Sequence, residues 1–136
     1  MYPAEIVKPM REDLSLHGFK ELFTTEEVNK SINSEGTVLV VVNSVCGCAA
    51  ANARPGAKMS LLNDKKPDHL TTVFAGVDFE AVDAARSAMV PFPPSSPSMA
   101  LFKNGELVHM LERHHIEGRS ADMIAANLKS AYDEFC

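Results

Sequence analysis

Residues 37–56 read TVLVVVNSVCGCAAANARPG, and the change of character within this stretch predicts the fold. Its first part, Val38–Val42, is an unbroken run of β-branched and aliphatic residues that does not alternate with polar ones. Such runs are typical of strands covered on both faces, as the central strands of α/β sheets are. The alanine-rich sequence that follows favours a helix. The stretch therefore predicts a buried strand that passes directly into a helix, in an α/β protein.

Two cysteines, Cys46 and Cys48, fall at the junction between this strand and the helix. A thiol at a helix N-terminus faces unpaired N–H groups and the positive end of the helix dipole, and both favour the thiolate. Cys46 is nearer to the helix start, so we predict that it is the nucleophile of a redox site. Cys48 would then resolve a mixed disulfide on Cys46 by closing an internal disulfide.

A single residue, Gly47, separates the two cysteines. A disulfide across one residue closes a tight ring, and glycine tolerates the backbone dihedrals that such a ring requires. Strain makes a disulfide easier to reduce. The C-G-C sequence therefore predicts a redox loop with a labile, exchanging bond.

Three other interpretations of the pair stay open at this point. The cysteines could be buried hydrophobic residues, or sites of modification in a non-catalytic redox sensor, or ligands of zinc or copper(I) in a C-x-C metal-binding protein. Zinc would need two further ligands, for which the candidates are Cys136, His109, His114 and His115. Because no second closely spaced ligand pair contains a cysteine, and chelation does not need Gly47, we predict that the protein holds no metal.

The rest of the chain predicts two helices before the buried strand. The first lies within residues 3–17, where Pro9 predicts a kink or a late start. The second begins at a capping box formed by Thr24 and Glu27. Beyond the helix after Cys48, which we expect to be kinked at Pro55 and Gly56, the pattern predicts strand, helix, strand, strand and helix. These elements together predict a mixed central sheet flanked by helices, with extra helices at the N-terminus.

The boundaries of these later elements follow from local signals. They are a strand at residues 71–75, a helix capped by Asp78, a strand at residues 98–102, a hairpin turn at Asn104–Gly105, a strand at residues 106–112 and a final helix capped by Ser120. In the strand at 106–112, alternation predicts Leu107, His109 and Leu111 on one face and Val108 and Met110 on the other.

The composition limits the classes of function. With 136 residues, the chain is expected to form one domain over residues 1–136. Its net charge is −5, and lysine and arginine form no stripe, which argues against nucleic acid as a partner. No apolar run is long enough to span a bilayer and no signal peptide is evident, so we expect a cytoplasmic protein without membrane contact. Three cysteines in that compartment argue against a structural disulfide framework.

A proline before the next predicted strand strengthens the redox interpretation. Ser96 and Pro97 lead directly into the strand at 98–102, and at this point the chain resembles the thioredoxin superfamily. That fold has a redox motif at a helix start and a cis-proline before a core strand. The resemblance implies that the Ser96–Pro97 bond is cis, that both residues bind the substrate backbone beside Cys46, and that Pro55 corresponds to the proline that kinks the active-site helix.

Three segments sharpen the resemblance to one branch of that superfamily. VVVNSVCGCAAANARPG at 40–56, PPSSPSMALF at 93–102 and RHHIEG at 113–118, together with the terminal Cys136, are similar to the bacilliredoxin family of thioredoxin-like proteins. The similarity covers nearly the whole chain. One departure is His115, which stands where the family segment has glutamate, so the resemblance assigns no special role to that stretch.

The resemblance to bacilliredoxins implies a thiol–disulfide oxidoreductase. It would remove bacillithiol from S-bacillithiolated client proteins at Cys46, with Cys48 as the resolving cysteine. Bacillithiol or another low-molecular-weight thiol would be the co-substrate, and no other cofactor is implied. General disulfide reductase or isomerase activity of the thioredoxin type is chemically the same reaction on another substrate, and it stays open as an alternative.

Several further residues could contribute to the site. Cys136 could be a third redox thiol that reaches back to it, although a chain terminus more often packs elsewhere or is mobile. Arg113, His114 and His115 could bind the carboxylates of a bacillithiol-type ligand, but we expect them to decorate a turn. We expect Arg54 to lie on a solvated helix face.

Overall fold

The computed structural model describes residues 2–136. The elements within them are α1 (Ala4–Ser15), β1 (Lys20–Glu21), α2 (Thr25–Ile32), β2 (Thr37–Asn43), a π-helical segment (Ala49–Ala53), α3 (Arg54–Ser60), β3 (His69–Phe74), α4 (Phe79–Ala88), β4 (Ser98–Lys103), β5 (Glu106–Leu111), α5 (Arg113–Ile116) and α6 (Ala121–Phe135). The two helices expected before the long buried strand are present.

The five strands form one mixed sheet in the order β1-β3-β2-β4-β5. β2 lies at its centre, parallel to β3 and antiparallel to β4. The hairpin expected at Asn104–Gly105 joins the antiparallel pair β4 and β5, and both turn residues have positive φ. The predicted mixed sheet, with its antiparallel hairpin at one edge, is confirmed.

β2 is buried along its whole length, and its side chains feed two separate cores. Val38, Val40 and Val42 pack into the core under α2 and α4. Leu39 and Val41 point to the other side, into the core formed with α1, α3, α5 and α6. A strand that is apolar on both faces is therefore covered on both faces, which is why its sequence does not alternate.

The helix after the cysteines is continuous but not regular. The backbone N–H of Arg54 donates to the carbonyl of Ala49, which makes a π-helical turn of Ala49–Ala53. Pro55 is the reason, because its ring crowds the carbonyl four residues earlier and it has no N–H to donate. Gly56 serves packing and does not interrupt the helix: a Cβ atom there would lie 2.6 Å from the Ile124 side chain of α6.

Two expectations about helix starts are wrong: a late start of α1 caused by Pro9, and a side-chain cap of α4 by Asp78. α1 runs through Pro9 without a late start, and Pro9 lies on the exposed face, where water can reach the carbonyl that it leaves unpaired. Asp78 makes no side-chain cap for α4. Its carboxylate instead accepts two hydrogen bonds from Arg11, both 2.8 Å long, which connect α1 to the start of α4. The caps expected from Thr24 and Ser120 are confirmed.

The expected faces of β5 are also wrong. The pairing with β4 passes from His109 to Leu107, so Val108 is left without a cross-strand partner in a β-bulge. The bulge puts Leu107 and Met110 against the α2–α4 core and Val108 and Leu111 against the opposite core. Strict alternation cannot show a bulge. The short elements β1 and α5 were likewise too brief for a periodic signal.

Within residues 2–136, every helix is too short or too polar to cross a membrane.

Candidate active site

The redox loop, residues 44–48, begins directly after β2 ends at Asn43. The Ser44 hydroxyl accepts a hydrogen bond from the backbone N–H of Cys46 at 3.3 Å, and the carbonyl of Cys46 accepts from Ala49 N–H at 2.9 Å. Cys46 therefore stands immediately before the helical turns, and Cys48 already has helical dihedrals. The expected junction of buried strand, cysteine pair and helix is confirmed.

The environment of Cys46 stabilises its thiolate. Its Sγ atom accepts a hydrogen bond from the backbone N–H of Cys48 at 3.4 Å, and the Arg113 Nη2 donor lies 3.5 Å away. Hydrogen bonds from the side chain and the backbone of Cys48 lower the pKa of the Cys46 thiol, and the positive charge of Arg113 lowers it further. These donors therefore favour the thiolate form of the half-buried Cys46.

Cys48 has the opposite character. Burial raises the pKa of its thiol, and the hydrogen bond to Cys46 and the negative charge there raise it further. The pKa values of the two thiols are thus shifted in opposite directions, so Cys46 loses its proton more readily than Cys48. This asymmetry is the one needed by a nucleophile and a thiol that reacts only after the first exchange.

Ser96 and Pro97 lie beside the cysteine loop because of the strand register. Val42 of β2 pairs with Ser98 of β4, so the residues just before Ser98 face the loop that follows β2. The Ser96–Pro97 peptide bond is cis, as the resemblance implied; a second cis bond joins Val90 and Pro91. Two segments 50 residues apart in the sequence numbering thus meet at one end of the sheet.

Arg113 contacts both of these segments, although its sequence context predicted only a place in a turn. Its guanidinium reaches Cys46 with one nitrogen and donates to the carbonyl of Ser96 at 3.2 Å with the other. Its Nε donates to Glu117 at 2.8 Å, which holds the side chain in this orientation. Arg113 opens the short helix α5, which places it over the redox loop, so it does not merely decorate a turn.

The position of Arg54 contradicts a second expectation, that this residue lies on a solvated helix face. It is 5% exposed and does not lie on a solvated face. Its Nη1 donates to the side chain of Asn43 and to the carbonyl of Ser44, both at 3.0 Å, and its Nε pairs with Asp13 at 2.9 Å. Arg54 therefore fastens the end of β2 and the first residue of the redox loop to α1.

The remaining candidates lie away from the thiols. Cys136 is exposed and lies near Thr37, at the start of β2, whereas Cys46 follows the end of that strand. Seven strand residues separate the two ends by roughly 20 Å, so Cys136 does not reach back to the site. His109 bonds Asn127 at 2.7 Å.

The two adjacent histidines group with an acid and not with the cysteines. Among residues 2–136, Glu112, His114 and His115 bring their ligand atoms within 4.8 Å of one another, and neither Cys46 nor Cys48 joins them. The arrangement thus lends no support to a zinc site built on the C-x-C pair, which would need at least two more ligands at the sulfur atoms.

A cavity of about 400 Å³ adjoins Cys46, and two of its residues were missed by the sequence interpretation. Ser96 and Arg113 line it together with Arg86 of α4 and Tyr2. A signal for Arg86 existed: it falls four residues after Val82 and three before Met89, on the apolar stripe of its helix. A lone arginine on such a stripe is unusual, but only the structure shows that the stripe ends at the redox loop.

The contact between Arg113 and Cys46 gives a direct prediction. In Arg113→Gln, the pKa of Cys46 should rise, because the thiolate loses a neighbouring positive charge. Less thiolate at neutral pH should then slow alkylation of Cys46. Thiolate ultraviolet absorbance and iodoacetamide reactivity, both followed against pH, measure this shift. Arg119→Gln, which removes an exposed arginine outside the cavity, is the matched control; equal titrations for both variants would contradict the assigned contact.

Comparison with known proteins gives consistent results at full length. Residues 2–136 match the family model described as Disulphide isomerase. A bacilliredoxin of Cytophaga hutchinsonii is 59% identical over 134 residues, which cover 98% of this chain and 99% of the relative. A bacilliredoxin of Halalkalibacterium halodurans is 55% identical and covers 99% of this chain and 94% of the relative.

Solved structures agree on the fold. A putative oxidoreductase with a thioredoxin fold superposes with a TM-score of 0.64 at 18% identity, covering 85% of this chain and 96% of that one. A mutant thioredoxin from Halobacterium salinarum superposes with a TM-score of 0.59 at 17% identity, covering 88% and 91%. The fold is therefore thioredoxin-like, as the sequence implied.

Proposed function

This chain belongs to the bacilliredoxin family, and on that premise we propose that it removes bacillithiol from S-bacillithiolated client proteins. It is a thiol–disulfide oxidoreductase, and the proposal adds the substrate, the roles of Cys46 and Cys48, and the cytoplasm as its place of action. The observation that carries it is the thiolate-stabilising surrounding of Cys46, with Arg113 at 3.5 Å from the sulfur. The names of the relatives support bacillithiol as the thiol removed.

The first step is an exchange at the sulfur of the bound bacillithiol. The Cys46 thiolate attacks this atom, a new S–S bond forms between Cys46 and bacillithiol, and the client S–S bond breaks. The client leaves as a thiolate and takes a proton from solvent. Ser96 and Pro97 lie beside the attacking sulfur, where they would hold the client backbone during the exchange.

The second step frees Cys46 by one of two routes. Cys48 loses its proton and attacks Cys46 Sγ, which expels bacillithiol and closes the Cys46–Cys48 disulfide. A second molecule of free bacillithiol can instead attack the bound one and leave as the symmetrical disulfide. In the first route an external dithiol must supply two electrons for the next cycle. The close interaction between the two thiols supports this role of Cys48.

A second function deserves a test because the matching family model carries the description Disulphide isomerase. In that reaction, Cys46 would attack a disulfide within a client protein, and a client thiol would displace it to form a different pairing. The same nucleophile serves both reactions. They differ in the sulfur atom that Cys46 attacks, and hence in whether bacillithiol or the client protein becomes attached to Cys46.

The test is to trap the first intermediate. Cys48→Ser removes the resolving thiol, so incubation with an S-bacillithiolated client, without free bacillithiol, should release client thiol and leave one bacillithiol on the variant. Intact mass spectrometry of both proteins measures the transfer. Cys136→Ser serves as the matched control, because Cys136 lies at the opposite end of β2, and it should turn over like the unmodified protein.

Three outcomes separate the candidate functions. Bacillithiol on the Cys48→Ser variant supports its removal from clients. A covalent complex between the variant and the client, together with pairing of scrambled disulfides by the unmodified protein, would favour the isomerase. Client thiol release without any adduct on the variant would contradict both mechanisms.

A further inference from the structure

The cavity beside Cys46 contains a positive charge, that of Arg86, which has no ion-pair partner among residues 2–136. Arg86 extends from α4 into this cavity of about 400 Å³, whose other walls include Cys46, Ser96 and Arg113. The Nε atom of Arg86 is buried, and no hydrogen-bond acceptor within residues 2–136 reaches it. Leaving a buried guanidinium donor unpaired costs free energy, so the site favours an incoming acceptor.

Other arginines near the core, unlike Arg86, have ion-pair partners. Arg11 pairs with Asp78, Arg54 with Asp13, and Arg113 with Glu117. Across the described part of the chain, no carboxylate lies within ion-pair distance of Arg86. Arg86 is therefore a partly buried cation at the mouth of the redox site that lacks a fixed counterion.

Arg86 and Arg113 approach the same space from different elements. Arg113 enters from α5 and contacts both Cys46 and Ser96, whereas Arg86 enters from α4. Guanidinium groups bind carboxylates through paired N–H donors, and two of them line this cavity. The volume is within the range of small-molecule sites and too small for a folded domain.

We propose that Arg86, together with Arg113, forms a carboxylate-binding pocket that selects which small thiol is transferred to Cys46. The ligand class is a low-molecular-weight thiol with one or more carboxylates, held as a mixed disulfide with its sulfur next to Cys46. Arg86 acts as a specificity-determining residue: it binds the part of the adduct away from the reacting sulfur. This inference rests on the proposed function, since it names how the same site recognises its small thiol.

Position explains why the role falls to Arg86 in particular. Arg113 already donates to Ser96 and Glu117, so much of its donor capacity is used in holding the two sides of the site together. Arg86 does not hold two parts of the site together in this way. Its binding energy is available to the ligand, and its burial protects the contact from screening by salt.

The experiment compares two adducts of one client protein. One carries bacillithiol, and the other carries uncharged 2-mercaptoethanol; each is mixed with the unmodified protein, with Arg86→Gln, with Arg86→Lys and with Arg119→Gln. The measured quantity is the ratio of the exchange rates for the anionic and the neutral adduct. This ratio cancels effects on the intrinsic reactivity of Cys46.

The pocket predicts a distinct pattern of ratios. Arg86→Gln should lower the preference for the anionic adduct by about tenfold, because one charge-assisted contact is lost. Arg86→Lys should retain part of the preference, since it keeps the charge without the planar fork. Arg119→Gln removes the same charge outside the cavity and should leave the ratio unchanged.

Two results would overturn the inference in distinguishable ways. If the unmodified protein exchanges with both adducts at equal rates, or Arg86→Gln keeps the full preference, the pocket is wrong and the proposed function stands. If the unmodified protein exchanges with neither adduct, the proposed function itself fails. Should Arg86→Gln not fold, the unmodified protein still tests the pocket, because equal exchange rates for the anionic and the neutral adduct would contradict it.

Discussion

Cys46→Ser is expected to lose thiol–disulfide exchange almost completely, by roughly a thousandfold or more in rate, because a serine hydroxyl stays protonated where the thiol ionises. Donors from Cys48 and Arg113 surround this one sulfur atom. No other thiol is placed to take over, since burial raises the pKa of Cys48 and Cys136 lies at the far end of β2. Release of client thiol from an S-bacillithiolated protein measures the effect.

The matched control for this loss is Cys136→Ser. It removes a thiol of the same kind from an exposed terminal position and should keep the rate of the unmodified protein. A Cys46→Ser variant that still exchanged at more than a small fraction of that rate would show that another cysteine is the nucleophile. The assignment of Cys46 would then have to be abandoned.

Arg54→Met is expected to produce the largest loss of stability among the site residues, about 2–3 kcal/mol in the free energy of unfolding. The substitution keeps an unbranched side chain but removes the pairing with Asp13 and the hydrogen bonds to Asn43 and Ser44. The carbonyl of Ser44 then loses its donor, whereas Asn43 and Asp13 each keep one other donor, from Ser44 N–H and Lys58. Denaturant unfolding, followed by circular dichroism, measures the change.

Lys58→Met is the matched control, because Lys58 pairs with the same carboxylate of Asp13 from a more exposed position. Its loss should cost no more than about 1 kcal/mol, as exposed ion pairs do. Equal costs for the two variants would contradict the view that Arg54 is a buried fastening of the redox loop to α1.

The pH dependence of the Arg54→Met effect has a defined sign. Burial by itself raises the pKa of Asp13, but hydrogen bonds from Lys58 and Arg54 outweigh it and hold the pKa below its usual value. Stability from this carboxylate is present above the ordinary aspartate pKa and is lost as the pH falls through the lowered folded-state value. The difference between the unmodified protein and Arg54→Met should therefore narrow in acid.

Local sequence was enough to predict the centre of the fold. The non-alternating run of β2 indicated a strand covered on both faces, and Val38 and Leu39 indeed enter opposite cores. The C-G-C sequence at the end of that run predicted thiols at a helix start. The position of Pro97 beside them required the resemblance to a known fold, because it depends on the register between β2 and β4.

The roles of three arginines at the site could not be predicted from the sequence. Arg54, Arg86 and Arg113 lie on α3, α4 and α5, and each has its role only through residues distant in the chain. An arginine on a helix is most often solvated, so local pattern does not predict the buried contacts of Arg54 or the thiolate contact of Arg113. For Arg86, its place on an apolar stripe indicated burial but not the neighbouring redox loop. Such roles depend on how the helices pack around the end of β2, which residue spacing does not encode.

The position of bacillithiol in the trapped Cys48→Ser protein is the most direct test of which thiol is the nucleophile. Proteolysis without reductant, followed by tandem mass spectrometry, identifies the cysteine that carries it. We expect the bacillithiol adduct on Cys46, with Cys136 unmodified and the client thiol free. An adduct on Cys136, or a freed client with Cys46 unmodified, would contradict the claim that the thiol at the junction of β2 and its helix is the nucleophile.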